Sequence, residues 1–161
     1  MHISLLVLTL ITVPTGQQAQ PAEQAQQGVN ERGAHVMGFD QDATAHHFRL
    51  HSDGGAIDIA AKDRGDAKNR DAIRSHLPHI VSMFGDGNFS APMLIHDQDV
   101  PGTKTMTELK NRIRFVYVET PGGGRVDIFT ADAAALAAVH EFLRFQIRDH
   151  GTGDTVAITK R

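Results

Sequence analysis

The chain contains one local pattern twice, and that repetition limits what it can fold into. Asp53-Gly54-Gly55-Ala56-Ile57-Asp58-Ile59 returns as Gly122-Gly123-Gly124-Arg125-Val126-Asp127-Ile128. Glycine tolerates positive φ, so each glycine pair marks a tight turn between strands. Before the first turn, His46 to His51 places Phe48 and Leu50 on one face; after it, Ile57 and Ile59 alternate. Around the second turn, Ile113, Phe115 and Tyr117 alternate on the way in, and Val126 and Ile128 on the way out. Each hairpin then meets an aspartate able to cap a helix. Asp66 precedes Ala67 to Phe84, and Asp132 precedes Ala133 to about His150. Either helix alone would leave its apolar stripe in water. Two ββα units therefore predict an α+β domain, a four-stranded antiparallel sheet with both helices packed on one face. Between the units, Phe89 to His96 reads as extended. Thr103 to about Arg112 reads as a short helix, with Thr105-Met106-Thr107-Glu108 as a capping box.

The N-terminal part reads differently. Ile3 to Val13 is an apolar run broken by Pro14, too short to span a bilayer, which takes roughly 20 residues. It matches the apolar core of a secretion signal over residues 1–22. Residues 23–37 read as a disordered spacer, because the glutamine-rich stretch from Gln17 to Gln27 has little apolar surface to offset its ordering entropy. Residues 38–154 form the expected single domain and 155–161 a flexible tail. The protein is thus expected to be exported, periplasmic or extracellular, with no membrane span once the signal is removed. Cysteine is absent, which excludes disulfides, thiolate metal sites, covalent c-type haem and a cysteine nucleophile. The formal charge is only -3 and the basic residues are scattered, so no nucleic-acid partner is expected.

Histidine is the chemical clue: the chain has 10. On the first long helix, Ile73, Leu77, Ile80 and Phe84 form an apolar arc, and His76, His79 and Met83 share a stripe beside it. Pro78 lies between the two histidines and removes the hydrogen bond its N–H would have made to Arg74. On the second, Leu136, Val139, Leu143 and Ile147 face inward, with His140 and His150 on or at the edge of that arc. In the repeat, His140 aligns with His76. His96 follows Met93 in the connecting segment. Imidazole nitrogen suits zinc, and imidazole with thioether sulfur suits copper. The candidate ligands are His76, His79, His96 and His140, with His46, His47, Met83 and Met93 as secondary candidates. His51 and His150 read as solvated. Each histidine has a plainer reading, as a neutral core ring bonded to a carbonyl, and the methionines as core filler.

The pattern points to a histidine-rich exported protein binding copper or zinc, or non-covalent haem with His140 as an axial ligand. Two other classes compete. One is an envelope structural or interaction module without metal. The other is a small hydrolase or isomerase using His140 as general base, for which spacing reveals no second positioned group. Phe142 and Phe145 lie off the inward arc, which predicts a homodimer through that face. The strings Met37-Gly38-Phe39-Asp40-Gln41, His46-His47-Phe48-Arg49-Leu50 and His140-Glu141-Phe142-Leu143-Arg144-Phe145-Gln146-Ile147 resemble a family of exported bacterial proteins generally called hypothetical. That resemblance spans most of the domain and implies no activity or site residues.

Overall fold

The computed structural model of the chain describes residues 21–161. The apolar run expected as a secretion signal lies outside the described residues. The order of elements is α1 (Pro21–Met37), β1 (Thr44–His51), β2 (Gly54–Ala61), α2 (Ala67–Gly85), α3 (Ser90–His96) and α4 (Thr103–Glu108). A 3-10 turn (Lys110–Arg112) then leads to β3 (Arg114–Thr120), β4 (Gly123–Phe129), α5 (Ala133–Asp149) and β5 (Ile158–Thr159).

The protein is α+β, with one mixed sheet in the order β3-β4-β2-β1-β5. The four long strands are antiparallel, within each hairpin and where β2 joins β4. The fifth, β5, pairs parallel to β1 and comes from the segment expected as a flexible tail. Directly opposed residues share a face. The ladders therefore put Phe48 with Ile57 and Val126 with Tyr117 on one side, and Asp58 with Arg125 on the other. α2 and α5 cover the first side. Leu77 of α2 lies over Gly124, and Leu143 of α5 lies over Gly55. Ile73, Leu77, Val126, Ile128, Val139 and Leu143 are fully buried between the layers. Burying one such side chain is worth roughly 1.5–3 kcal/mol.

The repeat sets the architecture. Strand residues correspond at an offset of 69, as Gly123 does to Gly54, and the ladder obeys it: Gly54 pairs Phe129 while Ala60 pairs Gly123. Ile57 pairs its own counterpart, Val126, so a pseudo-twofold axis passes between these two residues. The helices correspond at an offset of 66. Asp132 caps α5 as Asp66 caps α2, and Leu143 stands over Gly55 as Leu77 stands over Gly124. Under this geometry His76 corresponds to Phe142 and His140 to Arg74, which corrects the alignment of His140 with His76.

Other expectations change too. Residues 23–37, read as spacer, lie within α1. Val29 of α1 is buried, and Arg32 donates to the Ile95 carbonyl at 2.7 Å, tying α1 to α3. Phe89 to His96 is helical from Ser90 instead of extended. α4 begins after Gly102 at φ 83° with no side-chain cap, so Thr105 and Glu108 form no capping box. Pro78 is accommodated inside α2. Phe142 and Phe145 are buried, Phe142 against Phe84 and Phe89, and Phe145 against His96. They offer no surface to a second copy. Sequence spacing missed this because α4, with Phe89 and His96 from the two ends of α3, packs against α5 away from the sheet.

Candidate functional site

The four histidines proposed as ligands do not converge. His140 is buried, and its Nε2 lies 2.8 Å from the His51 carbonyl and 3.0 Å from the Gly54 carbonyl. Both are acceptors, so Nε2 carries the proton and has no lone pair for a metal. His79 is exposed on α2. His76 turns its edge toward Phe39, with an unpartnered Nε2; burial lowers its pKa, assisted by the neighbouring His79. Met83 and Met93 pack against the core. His47 pairs with Asp154 at 2.9 Å, and Asp154 also accepts from the Phe48 N–H and the Thr152 hydroxyl. Burial alone would raise the Asp154 pKa, but these hydrogen bonds outweigh it and lower it. Among the described residues, no group of three or more histidine, aspartate or glutamate side chains is arranged to hold a metal ion.

A different set of imidazoles does gather. His46 of β1 stacks on His150 at the end of α5, with ring centroids 5.3 Å apart and planes within 16°. His150 meets His96 edge-on at 5.0 Å, and His46 also stacks on Phe39 at 6.1 Å. Burial drives the His46 pKa down to about 4, with His47 and Lys62 adding repulsion. Burial likewise drives His150 down to about 3, with His46 and His96 adding to it. Both rings are therefore neutral at pH 7, each with one donor and one acceptor nitrogen. His150, expected in solvent, is the most perturbed titratable group of the cluster. His51, the other histidine expected in solvent, is half-buried, and its Nδ1 lies 3.0 Å from the Thr159 hydroxyl.

These rings divide two spaces. Inside lies a cavity of about 60 Å³ between sheet and helices, lined by Ile57 and Val126 from the axis, by Ile80 and Phe84 from α2, and by Gln146 and His150 from α5. Outside lies an open polar groove of about 360 Å³ along α1 and β1, where Asn30, Asp42, His47, Lys62 and Thr152 meet. Gln41, His46 and His150 line both. The inner chamber is thus an apolar space whose mouth is formed by two neutral imidazoles and an amide. α1 borders the groove, where Asn30 donates to Asp42 at 2.8 Å.

The pseudo-symmetry shows what is special here. Ile80 and Phe84 of α2 correspond to Gln146 and His150 of α5, and Phe115 of β3 corresponds to His46 of β1. In the first pair of elements, Phe84 meets Phe115 at 5.6 Å, an ordinary aromatic contact. At the equivalent place, His150 meets His46. At these equivalent positions α2 and β3 carry hydrocarbon, whereas α5, its cap and β1 carry an amide and two imidazoles, although hydrocarbon packing plainly fits the geometry.

Gln146 completes this polar set. It is 4% exposed, and its Oε1 lies 3.0 Å from His96 Nε2, while its Nε2 is buried without a partner. His96 is fully buried at its side chain, and its Nδ1 faces the Asp149 carboxylate. Sequence spacing found His96 and His46 but passed over Gln146, Gln41 and Asp149. The signal for Gln146 was present: three residues after Leu143, it occupies an inward position where an amide needs a reason.

No family model, no curated protein and no solved structure matches this chain.

Proposed function

We propose that the protein is an exported binding module for a small amphiphilic molecule, held with a short apolar arm in the inner chamber and a polar head in the outer groove. One observation carries this reading: the apolar chamber and the polar groove share Gln41, His46 and His150 as a common wall. Ligand sites are concave and mostly apolar, with a few placed polar groups. The arm is short, because about 60 Å³ is less than half of the ~150 Å³ with which an engineered apolar cavity holds benzene. Export rests on the apolar run from Ile3 to Val13; N-terminal sequencing of the mature protein tests it.

A metal on imidazoles is the second reading, favoured by the gathering of His46, His96 and His150. It is the weaker reading, because imidazole lone pairs lie in the ring plane, and two rings stacked within 16° cannot aim them at one ion without turning. Thermal melting and calorimetry separate the two readings. Isobutyramide and isovaleramide are expected to raise the melting temperature, whereas formamide at the same concentration, which has no apolar arm, is not. A melting temperature unmoved by either branched amide would overturn the amphiphile reading. If copper or zinc raised it instead, with the imidazole NMR signals of His46 and His150 perturbed, the metal reading would replace it.

A further inference from the structure

A buried amide N–H without a partner is destabilising by about 1–3 kcal/mol, and folded proteins retain few such groups. Gln146 holds one against the chamber wall. Its position is also fixed. Asp149 faces Nδ1 of His96, and Nε2 of the same ring faces Oε1 of Gln146. The ring is held between the Asp149 carboxylate and the amide oxygen of Gln146, and the nitrogen end of that amide is left unengaged. The ring itself cannot swing away, because Phe145 meets it edge-on at 4.9 Å and His150 at 5.0 Å.

From this geometry we infer that Gln146 is the specificity-determining residue of the chamber: its amide N–H binds an acceptor oxygen on the ligand's arm, and the Asp149–His96 pair positions it to do so. The inference rests on the amphiphile-binding reading and narrows it to arms that carry a carbonyl, ether or hydroxyl oxygen. The side of the chamber built from Ile80 and Phe84 has no polar atom to offer, so the oxygen turns away from α2, toward the wall that holds Gln146. The ligand is therefore oriented with its oxygen toward Gln146 and its hydrocarbon toward α2.

Two probes of equal shape test this, 2-butanone and 2-methyl-1-butene, in which a carbonyl oxygen is exchanged for a methylene. Binding is measured by NMR titration of the whole protein, following the Gln146 side-chain amide and the Ile57 methyls. The ketone loses more than the alkene on leaving water, so the contribution of Gln146 is read by comparing the ketone-to-alkene affinity ratio of the natural protein with that of Gln146→Leu. The ratio is expected to fall about tenfold in Gln146→Leu, the size of one well-made hydrogen bond that rescues a buried donor. The Gln146 amide signal shifts with ketone and not with alkene, a readout that a purely structural amide would not give. A ratio unchanged in Gln146→Leu would overturn the inference while leaving the chamber as a binding site. If neither probe binds, the inference falls together with the amphiphile reading. Asp149→Asn, which weakens the hold on His96 without emptying the chamber, is expected to reduce the ketone preference; an unchanged ratio would remove Asp149 and His96 from the account.

Discussion

Arg74 and His140 do the same work at equivalent places in the two repeats. Arg74 donates to the Thr120 carbonyl at 2.7 Å and the Gly123 carbonyl at 3.3 Å. His140 donates to the carbonyls of His51 and Gly54, which are their counterparts. Each side chain ties the end of one hairpin to the helix that follows it. Replacing His140 by alanine is expected to leave these carbonyls unsatisfied and destabilise the domain by about 1–3 kcal/mol, without changing ligand affinity. Urea denaturation checks it. His140→Gln, which keeps a donor, should recover part of the loss; a neutral His140→Ala would remove this role.

Acid should weaken the fold through the stacked rings. The folded-state pKa values of His46 and His150 are about 4 and about 3, both below the 6.5 of an unperturbed imidazole. Below pH 6.5 the unfolded chain takes up protons that the folded chain refuses. Stability is therefore full above about pH 6.5 and falls as the pH drops toward 4, by up to about 1.4 kcal/mol per pH unit for each ring. The double replacement His46→Phe and His150→Phe restores the aromatic pair seen at Phe84 and Phe115. It is expected to flatten this dependence, measured as the urea midpoint at several pH values. An unchanged slope would show that other groups set it.

Leucines of α5 and α2 rest on the sheet at two glycines. A methyl group on Gly55 would lie 2.6 Å from the Arg49 carbonyl oxygen and 2.3 Å from Leu143 Cδ1. On Gly124 it would meet only side chains, Tyr117 and Leu77, at 2.7 and 2.8 Å. Overpacking of this kind is destabilising by about 1–3 kcal/mol. Gly55→Ala is expected to be the more damaging, because a backbone atom cannot swing away as Leu77 can. Thermal melting of the two variants decides the order.

The C-terminal segment acts as a strap on the open face of the sheet. Arg161 donates to Asp127 at 2.6 Å and to the Gly55 carbonyl at 3.0 Å, and its guanidinium sits 4.2 Å from the centre of the Phe129 ring. Asp127 is only 6% exposed, and Arg125 approaches it at 3.3 Å as a second partner. Arg161→Ala is expected to lower stability by about 1–3 kcal/mol, with chamber binding unchanged. No change in the urea midpoint would mean that Arg125 suffices.

The sheet and its two covering helices were legible in the sequence because they rest on local chemistry: glycine turns, alternating apolar residues and capping aspartates. The repeat made their pairing predictable. What was not legible depends on contacts between distant segments. α1 has a weak apolar stripe and is anchored by Arg32 and Asn30 reaching to partners far along the chain. β5 has two residues and exists only because β1 offers an edge. The site was half legible: a histidine excess signalled polar chemistry, but helix-face spacing picked His76, His79 and His140. The rings that meet, His46, His96 and His150, come from a strand, a short helix and a helix end. Only the fold brings those into one place.

The most direct test of the chamber is where a bound arm lies. Intermolecular NOEs between the methyl protons of isovaleramide and the protein locate it in solution. The account predicts contacts to Ile57, Val126 and Phe84, with the amide head nearest His46 and His150. Contacts confined to the exposed apolar side chains Leu94, Val156 and Ile158 would contradict it, because the arm would then have stayed outside the chamber.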